Sequence, residues 1–338
     1  MRDGTLLEAR DLRIDLVLRG GQITVIDGIN FDIRPGEVLA LVGESGSGKS
    51  VTAQSLLRLL PRELQIVSGS LLFRSTPEAA PIDLARIEAD GPAMRHIRGN
   101  RIAMVFQEPM SSLSPLHTIG SQIGDVLRLH RGLRGNALRA VAAELLDRVG
   151  ISGAARAIDR YPHEFSGGMR QRVMIAKALA CDPALLIADE PTTALDVTIQ
   201  AQVLDLMRRL QRELGMAIIF ITHDLGVVAQ MADRVAIMYT GKIVETGAVR
   251  DIFKRPTHPY TGNLLRAVPK LGRLRHWRDL QPIRGAVPSL YNLPSGCTFH
   301  PRCDAFLAGT CERSFPASRE VTASHSVSCH LVNEVAPA

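Results

Sequence analysis

The segment VLALVGESGSGKS, residues 38–50, decides the fold class, because it joins a short apolar run to a glycine-rich loop. The loop, GESGSGKS, fits the pattern GxxxxGK[ST] in full, and the helical stretch VTAQSLLRLL follows it directly. A strand, such a loop and a helix in this order predict a phosphate site, because the loop N–H groups and the helix N-terminus attract a polyphosphate. Lys49 is expected to reach the β- and γ-phosphates, and the Ser50 hydroxyl to coordinate Mg²⁺. The predicted nucleotide-binding residues are Gly43, Ser45, Gly46, Gly48, Lys49, Ser50 and Val51.

Between residues 36 and 245, short apolar runs alternate with amphipathic stretches, which predicts an α/β fold with a mostly parallel core sheet. Five runs read as buried strands: VLALV (38–42), IAMVF (102–106), ALLIAD (184–189), AIIFIT (217–222) and RVAIMY (234–239). Residues 5–34 look like an N-terminal antiparallel β subdomain, and about 112–182 like a helical subdomain. Beyond residue 255 the chain is rich in Pro, His and Cys. We therefore predict a nucleotide-binding domain at 1–255 and a small C-terminal extension at 256–338.

Two acids end the third of these runs, in ALLIADEP at 184–191. Ligands of open parallel sheets bind beyond the carboxyl ends of the strands, so Asp189 and Glu190 are expected beside the phosphate loop. Asp189 is predicted to hold Mg²⁺ through water. Glu190 is then the candidate that orients and polarises the attacking water.

Composition and charge exclude several other classes of protein. Of the 338 residues, 46% are apolar and 22% charged, as in ordinary globular proteins. The net charge of +6 is spread along the chain, and the densest basic segment, 270–284, lacks an RNA-reading motif, so no nucleic-acid partner is expected. The N-terminal stretch MRDGTLLEARDLR has no apolar h-region, and the longest apolar runs are far too short to span a membrane. We therefore expect a cytoplasmic protein without a membrane span.

The segment FSGGMRQRVMIAKALACDP, 165–183, resembles the signature sequence of ATP-binding cassette (ABC) proteins. Other family motifs occur in family order: Gln107 after a strand, ALD at Ala194–Asp196 and His223 in AIIFITHD. The resemblance implies an ATPase in which two nucleotide-binding domains face each other head to tail and enclose ATP between them. It implies catalytic roles for Glu190, His223 and Gln107, and Mg²⁺ ligation at Ser50, Gln107 and Asp189. The signature residues that would contact ATP across the dimer are Ser166, Gly167, Gly168 and Met169, the last in place of the usual glutamine.

Three further segments resemble the ATPase subunits of oligopeptide, dipeptide and nickel importers: FQEPMSSLSPL (106–116), RPTHPYTGNLLRAVP (255–269) and the ending PSLYNLPSGCTFHPRC. This resemblance implies ATP and Mg²⁺ as ligands and a peripheral location on the cytoplasmic face of the cell membrane. The implied partners are two transmembrane permease subunits, a second homologous ABC ATPase and an extracytoplasmic solute-binding protein. Peptide cargo is favoured. Nickel or opine import is the alternative within the family, and a soluble non-transport ABC ATPase or a redox-sensing ATPase are alternatives outside it.

The extension contains four cysteines with the spacing C-x5-C-x7-C-x17-C: Cys297, Cys303, Cys311 and Cys329. Disulfides are disfavoured in the cytosol, so thiolates gathered in this way indicate a [4Fe–4S] cluster or a tetrahedral Zn²⁺ site, with plain reduced cysteines as the third reading. The family resemblance favours the iron–sulfur cluster. His300, His325 and His330 lie nearby in the sequence as alternative ligands. Nothing in the sequence places these cysteines near the nucleotide, so a structural role is expected.

Overall fold

The computed structural model describes residues 1, 4–76, 79–107, 112–193, 195–268 and 282–333. Strands β1 to β12 span, in chain order, Leu7–Leu18, Gly21–Ile33, Val38–Val42, Leu64–Phe73, Ile82–Asp83, Ile102–Val105, Leu185–Asp189, Ala217–Thr222, Arg234–Tyr239, Lys242–Ala248, Arg319–Thr322 and His325–Val327. Helices α1 to α10 span Lys49–Leu56, Pro92–Ile97, Ile119–Arg131, Gly135–Arg148, Ala154–Ala157, Gly167–Ala178, Val197–Leu214, Leu225–Met231, Val249–Lys254 and Pro259–Ala267. Among these described helices, none is both long and apolar enough to cross a membrane.

These strands form two sheets. The larger sheet has the order β11-β12-β10-β9-β3-β8-β7-β6, and its section from β9 to β6 is parallel, which confirms the predicted core. The smaller sheet has the order β2-β1-β4-β5 and is antiparallel, which confirms the N-terminal β subdomain. Helices α3 to α6 fall within the stretch where the sequence indicates a helical subdomain.

The core strands are buried on both faces, which explains their unbroken apolar runs. Every residue of β3, β7 and β8 is buried, as expected for a parallel sheet covered by helices on both sides. Helix α7 buries Val203, Leu206 and Leu210 of its apolar stripe, and it begins where Asp196 accepts the N–H of Ile199. Because the parallel strands share one direction, the loops after β3, β6, β7 and β8 meet at one edge of the sheet.

The C-terminal extension continues the larger sheet. Strand β12 pairs with β10, and β11 pairs with β12, both antiparallel. Glu245 of β10 and His325 of β12 are buried, with 2.7 Å between Glu245 Oε1 and His325 Nε2. Residues 269–281, which hold most of the basic segment, lie outside the described residues. The division of the chain at residue 255 stays a prediction.

Candidate active site

The phosphate loop joins β3 to α1 and needs its glycines for two separate reasons. Gly46 and Gly48 have φ of 78° and 99°, in the left-handed region that glycine adopts without strain. A Cβ on Gly43 would lie 2.2 Å from the carbonyl oxygen of Met238, so no larger residue fits between the loop and β9. The loop therefore has a tight, defined curve at the N-terminus of α1, where N–H groups attract anions.

Lys49 lies inside this curve. Its side chain is 7% exposed, and its ammonium donates to the carbonyl oxygens of Gly43 and Glu44 at 2.8 and 2.9 Å. Burial lowers the pKa of Lys49, while the charges of Glu190, Asp189 and Glu44 act against that shift. The loop thus holds a buried cation at the centre of the expected phosphate site.

Ser50 and Asp189 form the candidate Mg²⁺ site. Ser50 Oγ donates to Asp189 Oδ1 at 3.2 Å, so two of the three predicted ligands meet. Burial raises the pKa of Asp189, although the hydrogen bond from Ser50 and the charge of Lys49 act against the rise. A cation favours the charged form of a buried carboxylate, and hydroxyl and carboxylate oxygens are ligands that suit Mg²⁺. The pair therefore fits the ion that the fold family implies.

Glu190, directly after β7, is held by side chains from three loops. Gln107 Nε2 and Thr193 Oγ1 both donate to Glu190 Oε2, at 2.9 and 3.0 Å. His223 Nδ1 lies 3.1 Å from Glu190 Oε1. Burial acts to raise the pKa of Glu190, but the hydrogen bonds from His223 and Thr193 and the charges of His223 and Lys49 outweigh it, so the pKa is lower than usual. The carboxylate is ionised at neutral pH, as a group that polarises water must be.

The predicted catalytic residues Gln107, Glu190 and His223 therefore lie together, while Thr193 was missed by sequence reasoning. The available signal for Thr193 was a hydroxyl three residues after the acid, in DEPTT. Gln107, the third predicted Mg²⁺ ligand, donates its amide to Glu190, and among the described residues no hydrogen bond joins it to Ser50 or Asp189. Val51 lies in the first turn of α1 and packs against the apolar core beneath the N-terminal sheet. Residues 108–111 of the segment 106–116, and Ala194 of the ALD motif, lie outside the described residues.

The signature residues lie elsewhere, at the N-terminus of α6. Ser166 caps this helix by accepting the N–H of Met169 at 3.3 Å. A Cβ on Gly168 would lie 2.6 Å from Ile199 Cγ2, so the signature packs tightly against α7. Ser166 and Gly167 are exposed. Between described residues, no hydrogen bond or ion pair joins the range 166–169 to the phosphate loop or to Glu190.

The four C-terminal cysteines line one small cavity, and all of them are free thiols: Cys297, Cys303, Cys311 and Cys329. Burial, with smaller contributions from the neighbouring cysteines, raises the pKa of Cys297 to about 11. Burial also raises the pKa of Cys303 and of Cys329. Buried thiols this close together cannot all ionise without a cation to compensate. Among the described residues, however, no three His, Cys, Asp or Glu side chains are arranged around a single metal ion.

Two of the three histidines predicted as alternative ligands line this cavity, His300 and His330, and each uses one ring nitrogen in a hydrogen bond to a backbone carbonyl. His300 Nδ1 donates to Cys297 O and His330 Nε2 donates to Ser314 O, both at 2.9 Å. His325, expected as an alternative ligand, does not line the cavity. It is buried against Glu245 in the sheet.

His258 lines the cysteine cavity, and sequence reasoning missed it. Its Nδ1 accepts the N–H of Tyr260 at 3.0 Å, so the proton of the neutral ring is on Nε2. Burial lowers the pKa of His258 to about 3, which keeps the ring neutral. Nε2 is buried and has no hydrogen-bond partner among the described residues. Since an unpaired buried donor is costly, this N–H indicates that the cavity is built to hold an acceptor.

The cysteine-bearing element also contacts the phosphate loop, a proximity that no pattern in the sequence indicates. Arg302, in the turn between Cys297 and Cys303, pairs with Glu44 at 2.7 Å.

To catalyse phosphoryl transfer, a protein must mainly position the phosphates, a cation and the attacking water. The loops at this edge contain groups suited to each task, which defines the protein as a nucleotide-hydrolysing P-loop ATPase.

Comparison with known proteins places it more closely. The family model "ABC transporter" matches residues 26–193, and "Oligopeptide/dipeptide transporter, C-terminal region" matches 244–311. The chain therefore belongs to the ATP-binding proteins of the ABC transporter family. A Brucella melitensis relative named "Putative peptide import ATP-binding protein" is 52% identical over 336 residues, 98% of each chain.

Two further similar proteins are informative. The dipeptide transport ATP-binding protein DppD of Bacillus subtilis is 45% identical over 330 residues, 97% of this chain and 95% of that one. Among solved structures, the dimeric ATP-binding cassette MJ0796 bound to ADP and phosphate aligns with a TM-score of 0.62 at 26% identity. That alignment covers 72% of this chain and 99% of MJ0796.

Proposed function

We propose that the protein binds and hydrolyses ATP as the energy-coupling subunit of a binding-protein-dependent importer of dipeptides or oligopeptides. The observation that carries the cargo class is the C-terminal match over residues 244–311, because this region lies outside the motifs shared by all cassettes. Relatives named for peptide and dipeptide import are similar over nearly the whole chain, which supports the same conclusion. Nickel or an opine is the alternative cargo, since the binding protein and the permeases select it.

The hydrolysis step rests on positioning and on charge stabilisation. Lys49 contacts the β- and γ-phosphates. Ser50 and Asp189 would hold Mg²⁺, which would neutralise charge on those phosphates. Glu190 orients and polarises the attacking water, and its hydrogen-bond partners Gln107 and His223 keep it in position.

A second subunit completes the site. The signature residues are separated from the phosphate loop within one chain, so they would act on the ATP held by a partner. The exposed helix N-terminus at Ser166 and Gly167 supports this role, because its N–H groups attract an anionic γ-phosphate. The similar cassette MJ0796 is itself dimeric. We infer a heterodimer with a homologous ABC ATPase.

An apolar cleft of about 180 Å³ supports docking of a permease subunit. It lies between β6 and α6, and its lining includes Met104, Phe106, Val126 and Met174. Phe106 is 40% exposed and directly precedes Gln107, which bonds to Glu190. A permease segment bound in this cleft would contact Phe106, whose neighbour Gln107 donates to the candidate catalytic Glu190. Two permeases would hold the ATPase pair at the cytoplasmic face of the membrane, while an extracytoplasmic binding protein delivers the peptide.

We also propose that the cysteine cavity holds a [4Fe–4S] cluster. Four cysteines are the usual ligands of this cluster, and its sulfurs would accept the unpaired N–H of His258. Zinc is the weaker alternative, because a tetrahedral ion needs its ligands around one point and the described residues lack such an arrangement. The four cysteines come from separate turns of the extension, so a cluster held by them would cross-link those turns.

Purification without oxygen should yield a coloured protein with about four irons and four labile sulfides per chain. Cys303→Ser removes one ligand and should cost the protein most of its iron. Cys181→Ser is the matched control, because Cys181 is a buried thiol outside the cavity, and it should leave the iron unchanged. Iron, sulfide and zinc are measured on the same samples. One zinc per chain without iron contradicts the cluster, and neither metal means reduced cysteines.

Peptide import is tested in proteoliposomes that contain two permease subunits, this ATPase and its partner, with the binding protein on the opposite side. A labelled dipeptide should accumulate only when Mg²⁺ and ATP are supplied on the ATPase side. Labelled nickel and a labelled opine are offered in parallel vesicles. ATP-driven uptake of either one without peptide uptake contradicts the peptide cargo but keeps the ATPase role. Hydrolysis without uptake of any solute contradicts the importer.

A further inference from the structure

The turn between the first two clustered cysteines lies directly against the phosphate loop. Arg302 ends the 3₁₀ turn His300–Arg302, which is flanked by Cys297 and Cys303. Its Nη1 lies 2.7 Å from Glu44 Oε2, and its Nη2 lies 3.0 Å from Glu44 Oε1. Two parallel N–H···O bonds of this kind form the strong, bidentate type of ion pair. Glu44 is the second residue of the phosphate loop, so the extension contacts the loop itself.

The buried guanidinium of Arg302 is held in place by several hydrogen bonds. Its side chain is 4% exposed, and that of Glu44 is 27% exposed. Arg302 Nε donates to Arg284 O at 2.9 Å, and Nη1 also donates to Tyr239 Oη at 3.3 Å. The hydrogen bond with Glu44 is the main cause that raises the pKa of Arg302, so the guanidinium is always charged.

Further contacts hold the same turn in place. The N–H of Glu44 donates to Tyr260 Oη at 2.9 Å, and the rings of Tyr260 and Phe299 pack with centroids 5.2 Å apart. The hydroxyls of Thr298 and Thr240 are 2.6 Å apart in the buried interior. The turn is therefore tied to the loop and to the end of β9 by independent contacts.

The charge of Glu44 makes its ion pair with Arg302 relevant to ATP binding. Glu44 places a carboxylate on a loop that must accept a polyphosphate, and an unpaired carboxylate there would repel the phosphates. Arg302 neutralises it. We propose that Arg302 is a positioning residue of the ATP site, through which the cysteine-bearing turn sets the affinity of the phosphate loop for ATP. This role rests on the ATPase activity alone, and it holds whichever metal the cysteines bind.

The test measures the Kd of a fluorescent ATP analogue with Mg²⁺ on the full-length protein. Arg302→Met should raise this Kd about tenfold, within the usual range of coupling between contacting sites. At saturating ATP, kcat should change less than about twofold, because Arg302 does not touch the reacting atoms. Glu44→Gln should have the opposite sign and lower the Kd, because it leaves the Arg302 cation beside the phosphates. The double variant should recover most of the affinity that Arg302→Met loses.

Arg284→Met is the matched control. Arg284 lies in the same extension, and its exposed side chain pairs with Asp304 at 3.5 Å. Because that side chain does not contact Glu44, its loss should not change the Kd. Thermal melting and thiol counts verify the fold of every variant. A folded Arg302→Met protein with unchanged affinity overturns the proposal, and so does a double variant as weak as the single one. If Arg302→Met does not fold, Glu44→Gln decides the matter, because unchanged or weaker binding contradicts the charge argument and tighter binding supports it.

Discussion

Replacing Glu190 with Gln should lower the kcat of ATP hydrolysis by a factor on the order of 10²–10⁴, while ATP binding persists. Glutamine keeps the size of the side chain but has no carboxylate to polarise a water. Glu190 is ionised in the folded protein because its bonds to His223 and Thr193 lower its pKa despite burial. The substitution therefore removes a charge that the native site maintains.

The measurement is phosphate release at saturating Mg²⁺ and ATP, together with the Kd of a fluorescent ATP analogue. Bound ATP that is not hydrolysed should also hold the heterodimer together, so size-exclusion chromatography of this protein with its partner ATPase and ATP should show more dimer for Glu190→Gln than for the wild type. Glu144→Gln, at an exposed position of α4, is the control and should leave turnover unchanged. Wild-type turnover in Glu190→Gln would remove Glu190 from the assigned role.

Replacing Lys49 with Met should weaken ATP binding by about 10- to 100-fold, the range expected when a charged hydrogen bond is lost. Methionine fills the space of the lysine stem but contributes no charge. Lys49 is 7% exposed and lies among the carboxylates of Glu44, Asp189 and Glu190. Without its ammonium, Asp189 and Glu190 lose the buried cation that lies between them and the phosphates, while Glu44 keeps its ion pair with Arg302.

Equilibrium binding of the fluorescent analogue measures the loss, and thermal melting confirms the fold. Lys254→Met is the matched control, since Lys254 is exposed near the end of α9 and distant in sequence from the loop. It should bind ATP as the wild type does. Equal affinity in both variants would contradict a phosphate contact for Lys49.

Much of the candidate site is predictable because it depends on short segments at the ends of parallel strands. The pattern GESGSGKS after an apolar run predicts its own loop, and the acids of ADEP end another strand. Once the strands are parallel, their carboxyl ends meet at one edge, so Gln107, Glu190 and His223 come together through topology. Their order and spacing also carried the family resemblance, and the family models agree with it.

The remaining residues have no such local signal. Thr193 needed the backbone turn after β7 to bring its hydroxyl to Glu190. His258 reads in the sequence as one histidine between Thr and Pro, and only the packed extension turns its ring toward the cysteines. Arg302 and Glu44 are 258 positions apart, and no periodicity links them.

The sequence alone therefore determined the fold class, the phosphate site and the acid pair. Each of these depends on short contiguous segments, and the residues of such a segment show its role without knowledge of distant contacts. It also determined that four cysteines share one segment, but not what surrounds them. Only the tertiary structure decided that this segment lies against the phosphate loop. That contact depends on the extension continuing the core sheet past β10 and folding back to the end of β9, and burial and long-range pairing of that kind leave no pattern in the chain.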